Sequence, residues 1–412
     1  MLTDYLFAEQ ALERLRHGAA GVYLDDFTDW LADGGYAEAT IRSYIYAADR
    51  FLTWAQSTGH IVSALDPDSL IRYRAHLTEA GPRPTAHRAG EGGNAYCGAR
   101  RLIVFLRQCG VVSDARPADL PLLRVFGDWM HQYRGATETT ITGYSRVLRQ
   151  LLEVLGSTPE GYTAAQLRAF VLAQSQGYSH SKAETVVTAV RMFMRFLMVT
   201  ERCGGALQYA IPRLAGWRQA ALPSYLKPAL VERIIAGCDP SMPLGARDRA
   251  VLLLLARLAL RAGDVAGLRL EDIDWPQGRL RVSGKTRREA WLPLPQEVGD
   301  AILHYLETAR PAVARDAVFL ITRAPYTPML SRQVSQSAER AIRRAGVDAP
   351  SYGAHLFRHS AATALLHQGL SLQAIGTLLR HRDVDTTALY AKVDVDLLRQ
   401  VALPWPEEDP SC

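Results

Sequence analysis

The chain has 412 residues, 48% of them hydrophobic and 22% charged, a composition that predicts two or three globular domains and excludes a largely disordered chain. A formal charge of +5 permits a nucleic-acid partner without demanding one. The five cysteines, Cys97, Cys109, Cys203, Cys238 and Cys412, lack zinc-ligand spacing, and their odd number argues against a disulfide framework.

Arginine supplies nearly all the positive charge. Its planar fork suits phosphate oxygens, although a GC-rich genome accounts for the same bias. The first residues carry no basic segment followed by an apolar one. The longest apolar run, Ala250 to Ala256, is broken by Arg257, far short of the ~20 residues a membrane helix needs. A soluble, cytoplasmic protein without a membrane partner is expected.

Along the chain, the first half has helical spacing and a faint internal repeat. Phe27-x-x-Trp30, Thr40-Ile41-x-x-Tyr44 and Phe51-Leu52 return as Phe126-x-x-Trp129, Thr140-Ile141-x-x-Tyr144 and Leu151-Leu152. In each copy apolar residues recur three and four apart, as a buried helix face requires. Each copy closes on an apolar-basic helix, around Arg101 to Leu106 and Arg191 to Leu197. Two related helical domains follow from this, although two unrelated hairpins of common amphipathic spacing give the same pattern. The Gly- and Pro-rich stretch from Gly81 to Asn94 reads as a loop, and Pro117 to Pro121 and Pro212 to Pro228 read as linkers.

Composition changes after the second linker. Leu230 to Cys238 predicts a helix, and Arg247 to Leu260 a longer, mostly buried one. A small meander is expected next: Ile273 to Trp275, a Pro276-Gln277-Gly278 turn, Arg279 to Val282, and Ala290 to Leu294. From Val298 the chain is again helical, interrupted at Gly346, Gly353 and Gly369, and 404–412 is a Pro-rich acidic tail.

The residues with chemistry lie in this second half. His355 and Arg358 stand at i, i+3 on one helix face. Leu378-Leu379-Arg380-His381 comes next, then Thr387-Ala388-Leu389-Tyr390. Upstream, Leu258-Ala259-Leu260-Arg261 closes the most apolar segment, and Lys285 sits in the Ser283-Gly284-Lys285-Thr286 turn. Each has an ordinary explanation singly: a packed tyrosine, a helix-capping arginine, a solvated turn lysine, a core histidine. Their order is harder to dismiss.

The ordered set Arg261, Lys285, His355, Arg358, His381 and Tyr390 resembles the active-site set of the tyrosine recombinase, or phage integrase, family, over about residues 222–400. Two details depart from the family pattern. Asp264 stands where glutamate is usual, and the turn after Lys285, Thr286-Arg287-Arg288, is less glycine-rich. His359 matches no role in the pattern and is read as structural, facing away from Arg358.

The resemblance implies a mainly α protein: helical core-binding-like domains, then an α/β catalytic domain, mostly α with a small antiparallel sheet. The expected division is 1–115, an N-terminal helical domain and possible duplicate; 116–212, a core-binding (SAM-like helical) domain; 213–228, a linker; 229–403, the catalytic domain; and 404–412, a tail. It implies that Tyr390 attacks a phosphodiester and leaves a 3′-phosphotyrosine. Arg261 and Arg358 would fork onto the non-bridging oxygens, and Lys285 would protonate the 5′ oxygen. His355 would assist proton transfer at Tyr390, and His381 would hydrogen-bond the phosphate. No metal, cofactor or ATP is implied. The expected partner is double-stranded DNA, bound by a homotetramer on two sites whose protomers are monomeric without DNA. A mobile-element integrase or transposase is the expected role. A nicking-closing type IB topoisomerase and a non-catalytic DNA-binding relative are the alternatives.

Overall fold

The apolar spacing of the first half becomes a succession of helices: α1 (Glu9–His17), α2 (Gly21–Asp33), α3 (Glu38–Ser57), α4 (Pro67–Glu79), α5 (Glu91–Gln108), α6 (Pro121–Arg134), α7 (Glu138–Leu155), α8 (Ala164–Ser175) and α9 (His180–Val199). The structure is a computed structural model that describes residues 1–6, 8–79, 91–112, 120–204, 207–212, 223–283, 289–380 and 384–391. The stretch 80–90, most of both expected linkers, the tail, Lys285 and His381 lie outside the described residues. Two units result. One comprises Met1–Ala8, Asp25–Arg42 and Gln219–Cys412; the other comprises Glu9–Leu24 and Ser43–Arg218.

The second of these units holds α6 to α9 around one core. Pro121 opens α6 at a position where its missing N–H costs nothing, and Gly135, at φ 58°, closes it in the left-handed conformation. Leu123, Phe126 and Met130 then fall on the buried face. Thr163 and Gln166 form a reciprocal capping box at the start of α8. Phe126 meets Phe193 and Phe196 of α9 edge-on, at 5.5 and 5.6 Å between ring centres. Burial of each such ring contributes roughly 1.5–3 kcal/mol, so packing rather than propensity holds these helices. The stack of Phe126 on Trp129 (6.4 Å) has a counterpart in Phe27 on Trp30 (6.1 Å).

The other unit is built on α10 (Pro228–Ala236) and α11 (Pro243–Arg257). Ala250 to Leu255 are fully buried, so this stretch of α11 is apolar on every side and lies in the core. It ends at Arg257, not at Leu260 as its composition predicts. Ala259 takes a left-handed conformation (φ 49°), which turns the chain before α12 (Ala262–Ala266). Strands β1 (Ile273–Asp274), β2 (Arg279–Ser283) and β3 (Glu289–Pro293) pair antiparallel in that order, with Arg281 opposite Trp291. Leu280 and Val282 point into the core, the period-2 alternation of a half-buried strand. Helices α13 (Gln296–Thr308), α14 (Ser331–Arg344), α15 (Ala354–His367), α16 (Leu372–Leu378) and α17 (Val384–Ala391) complete the unit. The interruptions fall at Gly346, Gly353 and Gly369, all at positive φ that other residues resist. The fold is therefore mainly α with a small three-stranded antiparallel sheet, as expected. Among the described residues, no helix is long and apolar enough to cross a membrane.

Candidate active site

Four segments of the second half converge on one site. Arg261 lies in the turn that Ala259 creates and stands at the N-cap of α12. Its backbone N–H donates to Oδ2 of Asp264 at 3.0 Å, and its Nη2 donates to the carbonyl of Arg380 at 3.3 Å. Arg380 returns the contact by donating Nη2 to that same Asp264 oxygen. Asp264 thereby connects α12 to the end of α16, with Arg261 held between them.

Arg358 approaches from α15. It is 4% exposed and uses both terminal nitrogens as a clamp. Nη1 donates to the Ala259 carbonyl at 2.5 Å, and Nη2 donates to the Leu379 carbonyl. Burial, reinforced by the neighbouring Arg261 charge, lowers its pKa to about 10. It still carries its charge at neutral pH. The guanidinium groups of Arg261, Arg358 and Arg380 thus lie close together beside one carboxylate, Asp264, which is ion-paired with Arg380. Among the described residues, Arg380 Nη1 is buried without a hydrogen-bond partner. Buried cations in excess of anions are costly to maintain, and the arrangement is poised for an anionic ligand.

Tyr390 lies in the last turn of α17, packed among Ala259, Ala362, Leu366, Ile375 and Leu379, and is 1% exposed. Its hydroxyl is 2.9 Å from Nδ1 of His359, with ring centres 5.7 Å apart. Burial raises the phenol pKa, and the Arg358 charge opposes that rise. His359 is pushed down by burial, then by His355 and Arg358. His355, at the exposed start of α15, is pushed down by burial, then by Arg358 and Arg261.

Of the six residues singled out in the sequence, Arg261, His355, Arg358 and Tyr390 are brought together, while Lys285 and His381 lie outside the described residues. The strands flanking Lys285 pair as far as Ser283 opposite Glu289. His359, read from the sequence as structural, lies against the Tyr390 hydroxyl. One position beyond Arg358 on a helix is a rotation of about 100°, which turns its ring toward α17 rather than away from chemistry. Its i, i+4 spacing from His355 was the available signal. Arg380 was also missed as part of the charge network.

The Phage integrase family profile matches residues 224–396. The protein y4rA of Sinorhizobium fredii (strain NBRC 101917 / NGR234), named as an integrase/recombinase, is 35% identical over 98% of this chain and 99% of its own length. Tyrosine recombinase XerD of Vibrio cholerae serotype O1 is 29% identical over 70% of this chain and 97% of its own. Among solved structures, the XerH site-specific recombinase bound to a palindromic difH substrate superposes with a TM-score of 0.55 at 17% identity, covering 84% of this chain and 100% of that one. The lambda integrase dimer on a core site gives 0.53 at 17% identity, covering 70% and 98%. The class is thus that of site-specific recombinases acting through a tyrosine. The chain belongs to the tyrosine recombinase (phage integrase) family.

Proposed function

We propose that Arg261, Lys285, His355, Arg358, His381 and Tyr390 form the catalytic set, and that the protein cuts and rejoins duplex DNA for a mobile element, by integration or transposition. The observation that carries this reading is the clustering of the Arg261, Arg358 and Arg380 guanidinium groups beside one carboxylate, Asp264, which pairs with Arg380, next to a buried phenol. A scissile phosphate supplies the missing negative charge. Arg261 and Arg358 would stabilise the charge that develops on its non-bridging oxygens, where donors aimed in advance are most effective. Tyr390 would attack phosphorus, and Lys285 would protonate the departing 5′ oxygen. His355 and His381 would serve proton transfer and hydrogen-bond the phosphate. The bond energy stays in the 3′-phosphotyrosine, so rejoining needs no external energy source.

The helical segments would hold the duplex. Between α6 and α7 runs a groove lined by Arg124, Arg146 and Arg149, with Thr142 and Ser145 between them and Asp128 and Glu138 at its margins. Arginines interleaved with hydroxyls suit a phosphate backbone, and support reading 116–212 as the core-binding domain and 229–403 as the catalytic one. Residues 1–115 would add contacts beyond the core site. Four protomers, monomeric in the absence of DNA, would assemble on two sites in the cytoplasm. Solved relatives of the same fold are bound to their DNA sites, which supports a duplex partner here.

Covalent trapping tests the reading. The protein is incubated with DNA flanking its own gene, quenched in detergent, and examined for protein-linked fragments, with Tyr390→Phe as control. Adducts that map to one sequence and vanish in the variant are expected. Tight binding without any adduct would instead identify a non-catalytic DNA-binding relative, and adducts with relaxation but no sequence preference a nicking-closing enzyme.

A further inference from the structure

A buried hydroxyl must give its hydrogen to an acceptor or lose a bond worth about 1–3 kcal/mol. For Tyr390 the acceptor is Nδ1 of His359, at 2.9 Å; among the described residues its hydroxyl has no other hydrogen-bond partner. With the phenol as donor, Nδ1 is the bare nitrogen and Nε2 carries the ring proton. Burial, His355 and Arg358 all disfavour a charged ring, so His359 is neutral at pH 7 and able to accept a proton. Burial likewise keeps the proton on Tyr390 at rest. His355 is placed differently. It makes no hydrogen bond to Tyr390 among the described residues, and its ring centre is 6.2 Å from that of His359.

The geometry points to His359, in place of His355, as the group that receives the Tyr390 proton during strand cleavage, a catalytic role that rests on the remaining assignments above. As the phenolic oxygen bonds to phosphorus, its hydrogen moves to Nδ1. The bond from phosphorus to the 5′ oxygen breaks, and that oxygen takes its proton from Lys285. His359, now an imidazolium, holds the proton beside the phosphotyrosine. On rejoining, the 5′ hydroxyl attacks phosphorus and returns its hydrogen to Lys285. The tyrosine oxygen leaves and recovers its hydrogen from His359. Two protons move and both return, so no co-reactant is consumed. The weak basicity of His359 is compatible with this, because the phenol becomes strongly acidic only as its oxygen engages phosphorus.

The charged and titratable groups near this pair are His355 and Arg358 on α15, with Arg261, Asp264 and Arg380 grouped around Arg358. His355 is a second imidazole beside the pair, so the pH dependence has to be read together with a substitution. Asparagine is the informative one at 359: its side-chain oxygen can accept the phenol hydrogen as Nδ1 does, but cannot take the proton away.

The experiment measures single-turnover cleavage of a duplex carrying the sequence mapped by covalent trapping. Two forms are used, with oxygen or sulfur at the bridging 5′ position of the scissile phosphate. Wild-type protein must first give adducts; their absence would fail the catalytic assignment itself and not this step alone. With adducts in hand, H359N is expected to bind the duplex normally and to cleave about 10²–10³-fold more slowly at pH 7. Its rate should climb with pH toward the phenol range. Sulfur, which leaves without a proton, should restore a Lys285 variant and not H359N. An H359N rate within twofold of wild type, or restoration of H359N by sulfur, would overturn the assignment. Wild-type protein gives a second reading should H359N fold poorly: its rate should level off above the imidazole range, whereas a rise continuing to the phenol range would exclude His359 as the acceptor.

Discussion

Asp264 and Arg380, 116 residues apart in sequence, are joined by an ion pair in which both side chains are largely buried. Through the second bond of Asp264, to the Arg261 backbone N–H, the pair fixes a proposed phosphate-binding arginine. Arg380 reaches this partner from a left-handed conformation (φ 54°) that glycine would adopt freely. The competition can be tested. Glycine at 380 removes a backbone cost of about 1–2 kcal/mol but strips a buried carboxylate of its ion-pair partner, which costs about 3–5 kcal/mol. Repulsion among the three guanidiniums offsets part of that loss. Arg380→Gly is therefore expected to destabilise by about 1–3 kcal/mol in urea unfolding, and Asp264→Asn, which unpairs Arg380 and removes a carboxylate beside the Arg358 charge, by more. A stabilised glycine variant would mean that the ion pair contributes nothing net.

His359 makes stability depend on pH in a defined direction. Its folded-state pKa lies below that of the unfolded chain, so the unfolded state binds more protons as pH falls through the range around 6.5. Stability should be full above that range and decline below it, with a slope of up to about 1.4 kcal/mol per pH unit from this one group. His355 has the same sign, but its exposure makes its contribution smaller. Urea midpoints measured between pH 5 and 8 should therefore fall toward acid, and His359→Asn should flatten the decline. An unchanged slope in the variant would place the acid sensitivity elsewhere.

Arg358 cannot be replaced by lysine without loss. Its two terminal nitrogens hold the Ala259 and Leu379 carbonyls, which lie on separate segments, and a single ammonium cannot reproduce that planar span. Charge is retained in Arg358→Lys, so duplex binding should change little while single-turnover cleavage falls about 10²–10³-fold, the range for loss of an aligned donor. Equal losses in binding and cleavage would show that Arg358 contributes net charge alone.

The legible and illegible parts of this protein divide along physical lines. His355 and Arg358 were readable because both sit on one helix, where i, i+3 spacing dictates their common face. Arg261 and Tyr390 were readable by type and order within the family pattern. The end of α11 was not, since Leu258 to Leu260 continue the apolar pattern while the backbone turns at Ala259. Likewise β3 begins at Glu289 instead of Ala290, because pairing with Ser283 sets the register and hydropathy does not. The roles of His359 and Arg380 depend on where α17 and α12 come to rest, which is tertiary information that no local spacing carries.

The internal repeat leads to a final expectation about DNA. Thr40, Ile41 and Tyr44 of α3 align with Thr140, Ile141 and Tyr144 of α7, so Arg146 and Arg149 of the groove correspond to Tyr46 and Asp49. The copies also differ in overall charge: residues 1–115 carry 11 Lys and Arg against 14 Asp and Glu, and residues 116–212 carry 10 against 7. The Arg146 and Arg149 pair of the second copy thus has no counterpart at the aligned positions of the first, which favours protein contacts as the role of the N-terminal segment. Arg146→Ala and Arg149→Ala should each weaken duplex binding across all sequences and reduce the slope of log affinity against log salt by about 1. Tyr46→Ala and Asp49→Ala should leave that slope unchanged. Fluorescence anisotropy over a salt series measures both. A loss of slope at Tyr46, matching that at Arg146, would show that the first copy also lies on the duplex and that its acidic charge is carried on faces turned away from it.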